Sequence, residues 1–280
     1  MRNILLLLVC GLILPPLLAC NRSTKQDKPE LRVTEATAPT PSVCALPGEP
    51  EVLDSEPETG SVLLRWEGLV QQAWSTTSSP DSDAFASYRA RIEEAGAALR
   101  VPVADPPEPE TDFMREVWRR EDLNIAAANS GEAGTLRKAH CFEKLFYAFQ
   151  AERYDAITQP TEFVVAQVVK ETEQGLMTRV YFGSSKNMFP SKRFYPFAAA
   201  AKDISEGWRF EVFLHNHPPQ RLGEKPALGV PAPSTNDVML ARSLAEGEGL
   251  RRVLVTNGFY TIDIPTELLD RYQIPPAREQ

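Results

Sequence analysis

The sequence predicts an α+β fold, in which a helical region at residues 61–159 precedes a domain of strands and helices at residues 160–280. Two observations support this division. Before Pro160, large apolar residues recur mostly at helical spacing, over segments of a dozen residues or more. After Pro160, apolar and polar residues alternate in short runs between turn residues, which is typical of strands. A chain of 280 residues can bury a sizeable core in one or two domains.

Four segments of the first region are expected to be helical. Apolar residues from Val62 to Trp74 recur at helical spacing, and the segments 84–99, 112–129 and 136–154 follow similar patterns. The four prolines between residues 101 and 111 predict a connector. The side chains expected on the buried faces of the last three helices are Phe85, Tyr88, Ile92 and Ala95, then Phe113, Val117 and Trp118, then Cys141, Leu145, Ala148 and Phe149.

The second region is expected to contain five strands and two helices. The strands are expected at residues 162–169, 176–182, 208–214, 252–257 and 259–264, and the helices at residues 194–203 and 235–246. A polar turn at residues 171–175 joins the first two strands into a hairpin, and Asn257-Gly258 forms the turn between the last two. Ser234 is well placed to cap the second helix. A proline-bearing loop spans residues 218–233.

The first 60 residues have the pattern of a leader followed by a linker. Residues 1–19 combine Arg2, an apolar run and a small residue directly before Cys20, which resembles a bacterial lipobox. Cleavage before Cys20 and acylation of that cysteine would anchor the chain to a membrane. Because Asn21 is not the aspartate associated with inner-membrane retention, an outer-membrane lipoprotein facing the periplasm is expected in a Gram-negative host. The alternative is an ordinary signal peptide with an incidental cysteine. Residues 20–60, rich in polar residues and proline, are expected to be a flexible tether.

Charge and cysteine content restrict the classes of partner. The net charge of −8 gives no general attraction to a phosphate backbone, so no nucleic acid is expected as a partner. Cys44 and Cys141 remain once the leader is removed and Cys20 is acylated. An even pair of cysteines in an exported protein suggests a disulfide between them.

Two of the three histidines, His215 and His217, directly follow an expected strand. Alternate residues of an extended segment project to the same side, so both imidazoles can face one point. Asp237 lies at the start of an expected helix, where its carboxylate can turn back towards them. Two neutral imidazoles and one carboxylate leave an open fourth position, as in catalytic rather than structural zinc sites. The alternative is a pair of surface histidines, and the isolated His140 is expected to be an ordinary side chain.

The histidines and the aspartate belong to a longer pattern, His215-Asn216-His217-Pro218 followed by Pro231-Ala232-Pro233-Ser234-Thr235-Asn236-Asp237. It resembles the H-x-H-P … P-x-P-S-x-x-D signature of the JAMM/MPN metalloprotease superfamily, and most of all its RadC-like branch. The resemblance covers residues 160 to 264 and implies a cytidine-deaminase-like mixed β-sheet flanked by helices. It implies that His215, His217 and Asp237 bind Zn²⁺ and that Ser234 helps to stabilise an oxyanion.

The family also uses a glutamate on an earlier strand as general base, and Glu162 occupies that place. Glu171 and Glu173 suit the role less, because they fall in the expected hairpin turn, and Glu211 is expected to pair with a nearby cation. The resemblance thus implies a zinc-dependent hydrolase that cleaves a peptide, isopeptide or related amide bond of a substrate in the cell envelope. The alternatives are a non-catalytic binding or scaffold lipoprotein and a self-processing or toxin-associated protein. An insertion at about residues 220–230 is either a lid or a solvated bulge.

Overall fold

A computed structural model of the chain describes residues 46, 48–69, 83–94, 111–156, 158–222 and 225–276. The expected signal peptide, the lipidation site Cys20 and the expected disulfide partner Cys44 lie outside these ranges. Cys141 is buried and disulfide-bonded. None of the helices within the described ranges combines the length and the hydrophobicity that crossing a membrane requires.

A mixed eight-stranded sheet lies at the centre of the fold. Its strands are β1 (Glu51–Glu56), β2 (Ser61–Leu69), β3 (Thr135–Lys138), β4 (Phe163–Thr172), β5 (Gly175–Ser184), β6 (Arg209–Asn216), β9 (Arg252–Thr256) and β10 (Tyr260–Pro265). Across the sheet they lie in the order β1-β2-β5-β4-β6-β9-β10-β3. All neighbouring strands are antiparallel except β6 and β9, which are parallel. A separate short hairpin pairs β7 (Gln220–Leu222) with β8 (Lys225–Ala227).

Helices cover both faces of this sheet, so the molecule is a mixed α+β protein. The helices are α1 (Asp83–Glu94), α2 (Asp112–Ser130), α3 (Cys141–Arg153), α4 (Phe197–Ser205) and α5 (Thr235–Glu248), with short 3₁₀ helices at Lys192–Phe194 and Thr266–Arg271. Residues of α1 and α3 share one apolar core with the sheet, and residues of α2, α4 and α5 share the other.

The sequence of β4 shows why the strand is central. Phe163 and Val165 belong to the core under α1 and α3, whereas Val164, Ala166 and Val168 belong to the core under α2, α4 and α5. Apolar residues therefore occupy both faces, which is typical of a strand covered on both sides. The predicted hairpin is confirmed, because β4 and β5 pair from Phe163–Ser184 to Thr172–Gly175.

The predicted helix at residues 62–74 is wrong over its described part, because β2 runs to Leu69 and pairs with β5 along eight residues. The apolar spacing was ambiguous: Leu63, Leu64 and Trp66 are all buried because both faces of this strand are covered. β1 likewise lies within the predicted tether. Residues on both sides of Pro160 thus contribute to the same sheet and the same cores, whereas the sequence had suggested two successive regions.

Two further expectations need correction. The segment expected to be one helix from Leu136 to Tyr154 forms β3 and then α3, which begins at Cys141. The buried face of α2 carries Asn124 and Ala128, while its expected anchors are only half-buried. The reason is that α2 contacts α5 and the C-terminal segment through polar groups as well as apolar ones. The burial of Phe85, Tyr88 and Ile92 on α1 is confirmed.

Candidate metal centre

The candidate site lies at the end of the sheet where the parallel strands β6 and β9 both terminate. His215 is in β6, and His217 follows it, with its backbone N–H donating to the carbonyl oxygen of Thr256 in β9 at 2.8 Å. The helix α5 connects the two strands, and its N-terminus faces the same edge. Ligand sites of α/β sheets commonly occur outside the carboxyl ends of parallel strands.

Three potential ligand atoms meet at this point in a nearly equilateral triangle. The Nε2 atoms of His215 and His217 are 3.3 Å apart, and they lie 3.2 and 3.4 Å from Oδ2 of Asp237. Nitrogen and oxygen ligands of a tetrahedral zinc ion, each at about 2.0–2.1 Å, are separated by about 3.3–3.4 Å. The spacing therefore fits a small tetrahedral cation. Within the described ranges, this is the one cluster of at least three His, Cys, Asp or Glu side chains at ligand distance.

The histidine rings are fixed in orientations that leave both Nε2 atoms facing the cluster. Nδ1 of His217 lies 2.7 Å from the carbonyl oxygen of Val230 and donates a hydrogen bond to it, which leaves Nε2 as the nitrogen that a cation can bind once the ring is neutral. The ring of His215 stacks on Phe213, with centroids 5.2 Å apart. The His215 side chain is 3% exposed and that of His217 is 19% exposed, so the cluster is open to solvent on one side.

Asp237 is held by the capping box of α5. Ser234 Oγ accepts the backbone N–H of Asp237 at 3.1 Å, and Oδ2 of Asp237 accepts the backbone N–H of Ser234 at 2.7 Å. Burial opposes ionisation of Asp237, but the charges and hydrogen bonds of His215 and His217 outweigh it and hold the pKa well below its usual range. Burial disfavours the charged form of His217, but the adjacent Asp237 carboxylate favours it more strongly. The pKa of His217 is therefore raised to about 9. The metal-free cluster thus favours the charged form of His217.

Glu162 lies beside the cluster at the start of β4. The antiparallel register pairs Val164 with His215, which brings Glu162 next to His217. Burial raises the pKa of Glu162 to about 6, although the charges of His217 and His215 act in the opposite direction. The buried amide of Asn216 fixes this segment, since it donates to the carbonyl oxygen of Thr161 at 3.1 Å and accepts the N–H of Phe163 at 2.6 Å.

No family model, curated protein or solved structure matches the chain. The resemblance to the JAMM/MPN superfamily therefore rests on the motif residues, and the site on its geometry. The structure brings together Glu162, His215, His217, Ser234 and Asp237, all of which the sequence had singled out.

The structure confirms Ser234 as the N-cap of α5, as the sequence predicted. Its oxygen accepts a backbone hydrogen bond as the N-cap of α5 and so helps to orient Asp237. A hydroxyl that accepts one hydrogen bond can still donate another. Stabilisation of an oxyanion by Ser234 stays a prediction.

Part of the loop at residues 218–233 packs tightly against the site. A Cβ atom on Gly229 would lie 2.3 Å from the carbonyl oxygen of His217, so only glycine fits there. The Gly229 carbonyl oxygen accepts a hydrogen bond from the buried Asn257 side chain at 2.9 Å, and the adjacent Leu228 is 5% exposed. This half of the loop is therefore not a solvated bulge but a support for His217. A lid role for the β7–β8 hairpin stays a prediction.

Sequence reasoning missed two side chains near the site, Tyr195 and Glu121. The ring of Tyr195 packs on Phe197, which packs on Phe213 beneath His215. Burial raises the pKa of the Tyr195 phenol, and the negative charges of Glu162 and Asp237 add to the effect. Glu121, on α2, accepts hydrogen bonds at the start of α5. Neither residue belongs to a recognisable motif, and both come near the cluster only through the tertiary fold.

Proposed function

We propose that this chain is a zinc-dependent hydrolase of the JAMM/MPN type that cleaves a peptide, isopeptide or related amide bond. The observation that carries the proposal is the triangle of ligand atoms from His215, His217 and Asp237, at separations of 3.2–3.4 Å, with Glu162 beside it. A structural zinc site would be closed by four protein ligands, whereas this one provides three and is partly open.

The donor set favours Zn²⁺ over Ca²⁺ and Mg²⁺. Two imidazoles and one carboxylate are ligands that zinc accepts readily, whereas Ca²⁺ and Mg²⁺ prefer oxygen ligands in sites of higher coordination number. The hydrogen bond from Nδ1 of His217 to the Val230 carbonyl is the outer contact that zinc-binding histidines usually make.

The residues around the cluster fit acid–base chemistry at an amide bond. A zinc ion bound here would supply a Lewis acid, which polarises a carbonyl group and acidifies water. Glu162, with a pKa raised by burial, is suited to accept a proton from the attacking water and to deliver it to the departing amine nitrogen. The bonds of Asn216 to the backbone on both sides of Glu162 fix the chain segment from which this carboxyl projects. Ser234 would donate a hydrogen bond from its hydroxyl to the carbonyl oxygen as charge develops there.

Amide rather than phosphate-ester substrates are favoured by the N-terminus of α5. Free N–H groups at a helix N-terminus commonly bind phosphate. Here the N–H groups of Ser234, Thr235 and Asp237 already donate to side-chain oxygens of the chain itself. A substrate phosphate would therefore have to compete with Asp237, Glu121 and the Ser234 hydroxyl for these donors.

The proposed location is the outer membrane, with the domain facing the periplasm and attached through acylated Cys20. The leader pattern of residues 1–19 supports this location. The substrate would then be a peptide or protein of the cell envelope.

Metal analysis of the purified protein is the first test. We expect about one tightly bound Zn²⁺ per chain, lost in His215→Ala and in Asp237→Ala and retained in His140→Asn, which replaces the third histidine with a residue suited to its capping position. A protein that is free of zinc and cannot be reloaded would overturn the proposal.

Hydrolysis of envelope-derived peptides is the second test. We expect the parent protein to cleave at least one of them and Glu162→Gln to keep the metal while losing cleavage. Cleavage by Glu162→Gln at the parent rate would refute the general-base role. Zinc binding without any cleavage by the parent would favour the binding or scaffold alternative.

A further inference from the structure

We propose that Glu121 of α2 is a positioning residue for the metal centre, acting on Asp237 through the first residue of α5. The inference rests on the proposed zinc site and assigns a role to a helix that precedes the motif by about a hundred residues. It means that the upstream helical segment is part of the site rather than an independent neighbour.

The link between Glu121 and α5 consists of two hydrogen bonds to one carboxylate oxygen. Both the backbone N–H and the hydroxyl of Thr235 donate to Oε1 of Glu121, each at 2.9 Å. Thr235 is 1% exposed, and it is the first residue of α5, two positions before Asp237. The carboxylate therefore fixes the helix end from which the ligand oxygen projects.

The helix that carries Glu121 is itself anchored three residues further along. The side chain of Asn124 is fully buried, donates to the carbonyl oxygen of Gln273 at 3.0 Å and accepts the N–H of the same residue at 2.6 Å. Arg120 also donates to the carbonyl oxygen of Ile274 at 2.9 Å. Arg120 and Asn124 thus bind the C-terminal segment on either side of Glu121 and hold α2 in place. Because α2 is held in place, the Glu121 carboxylate restrains the N-terminus of α5.

The ligand geometry is sensitive to such restraint. Oδ2 of Asp237 has to lie within bonding distance of a cation shared with His215 and His217, and its measured separations from them are 3.2 and 3.4 Å. Groups that orient metal ligands without touching the metal typically contribute about 10–100-fold to metal affinity. The negative charge of Glu121 also acts on Asp237 and His217 directly.

Zinc affinity, measured on the full chain by competition with a chromophoric chelator, tests the proposal. We expect Glu121→Ala to weaken Zn²⁺ binding by about 10–100-fold, because both acceptor contacts are lost. Glu121→Gln keeps an acceptor oxygen, and we expect it to recover most of this loss. The matched control is Asp122→Ala, which removes the adjacent exposed carboxylate of the same helix and should leave the affinity unchanged.

A purely structural cap is distinguished by measuring unfolding with and without Zn²⁺. A structural role would lower stability equally in both states, whereas a positioning role also reduces the stabilisation that added zinc provides. If Glu121→Ala does not fold, two substitutions of Thr235 take its place. Thr235→Val removes the hydroxyl that donates to Glu121 and should weaken zinc binding several-fold. Thr235→Ser keeps this hydroxyl and should bind zinc as tightly as the parent protein. If Glu121→Ala binds zinc as tightly as the parent protein, this inference is wrong, whereas the proposed function still stands. The same holds for Thr235→Val if the Glu121→Ala protein does not fold. A parent protein without zinc would overturn the proposed function as well.

Discussion

Glu162 should destabilise the metal-free protein at neutral pH, which makes Glu162→Gln a stabilising substitution there. Burial raises the pKa of its carboxyl from 4.5 to about 6. The native state therefore favours the protonated carboxyl more than the unfolded chain does. A carboxyl group whose burial costs stability is expected at a functional site, because a general base needs a raised pKa there.

The magnitude follows from the two pKa values. A rise from 4.5 to about 6 corresponds to about 2 kcal/mol of unfolding free energy. Below pH 4.5 the carboxyl is protonated in both the native and the unfolded state, so it has no electrostatic cost. As the pH rises through about 6, the native protein has to ionise a poorly solvated group and loses up to that amount. Glutamine has no such cost at any pH.

Urea unfolding of the parent and Glu162→Gln, with a chelator present, measures the difference. We expect the variant to be more stable by about 2 kcal/mol at pH 7 and equal to the parent at about pH 4. Glu171→Gln, at an exposed glutamate in the β4–β5 hairpin, serves as the control and should show no such pH dependence. A difference between parent and Glu162→Gln that is the same at both pH values would refute the claim that Glu162 is buried beside the cluster as a strained carboxylate.

Three further substitutions probe the supports of the site. Asn216→Ala leaves two buried backbone groups beside Glu162 without partners, and we expect a loss of about 2–4 kcal/mol in urea unfolding. Gly229→Ala forces a Cβ against the His217 carbonyl and should lower both the melting temperature and zinc affinity, whereas Gly247→Ala, with open space in α5, should raise stability by about 0.5–1 kcal/mol. Tyr195→Phe removes a phenol whose pKa is raised by burial and by the charges of Glu162 and Asp237, and we expect slower hydrolysis with unchanged zinc content; an unchanged rate would exclude a role for this hydroxyl in the reaction.

The elements closest to the site were predictable because local signals and the tertiary fold agree there. The residues Ser234 to Asp237 form a capping box whose sequence pattern is recognisable without a structure. The short apolar run of β4 and the Asn257-Gly258 turn are equally local. His215 and His217 project to the same side because they are alternate residues of one extended segment.

The failures arose where long-range contacts decide the structure. β2 has apolar residues on both faces, so its spacing fitted a helix, and its pairing with β1 and β5 makes it a strand. Glu121 is separated by more than a hundred residues from Thr235, and nothing in its sequence neighbourhood distinguishes it from the other acidic residues of α2. In the sequence, a surface glutamate that forms a salt bridge within its own helix looks the same as one that caps another helix.

The position of the centre raises an electrostatic difficulty that the arrangement of carboxylates resolves. A helix N-terminus carries about half a positive charge and so repels a cation placed next to it. In this protein Asp237 and Glu121 both bind N–H groups of that same helix end. Each of these two carboxylates offsets the helix dipole while it fixes the ligand geometry. On the proposed function, Asp237 and Glu121 would thus make this helix end compatible with a bound divalent cation.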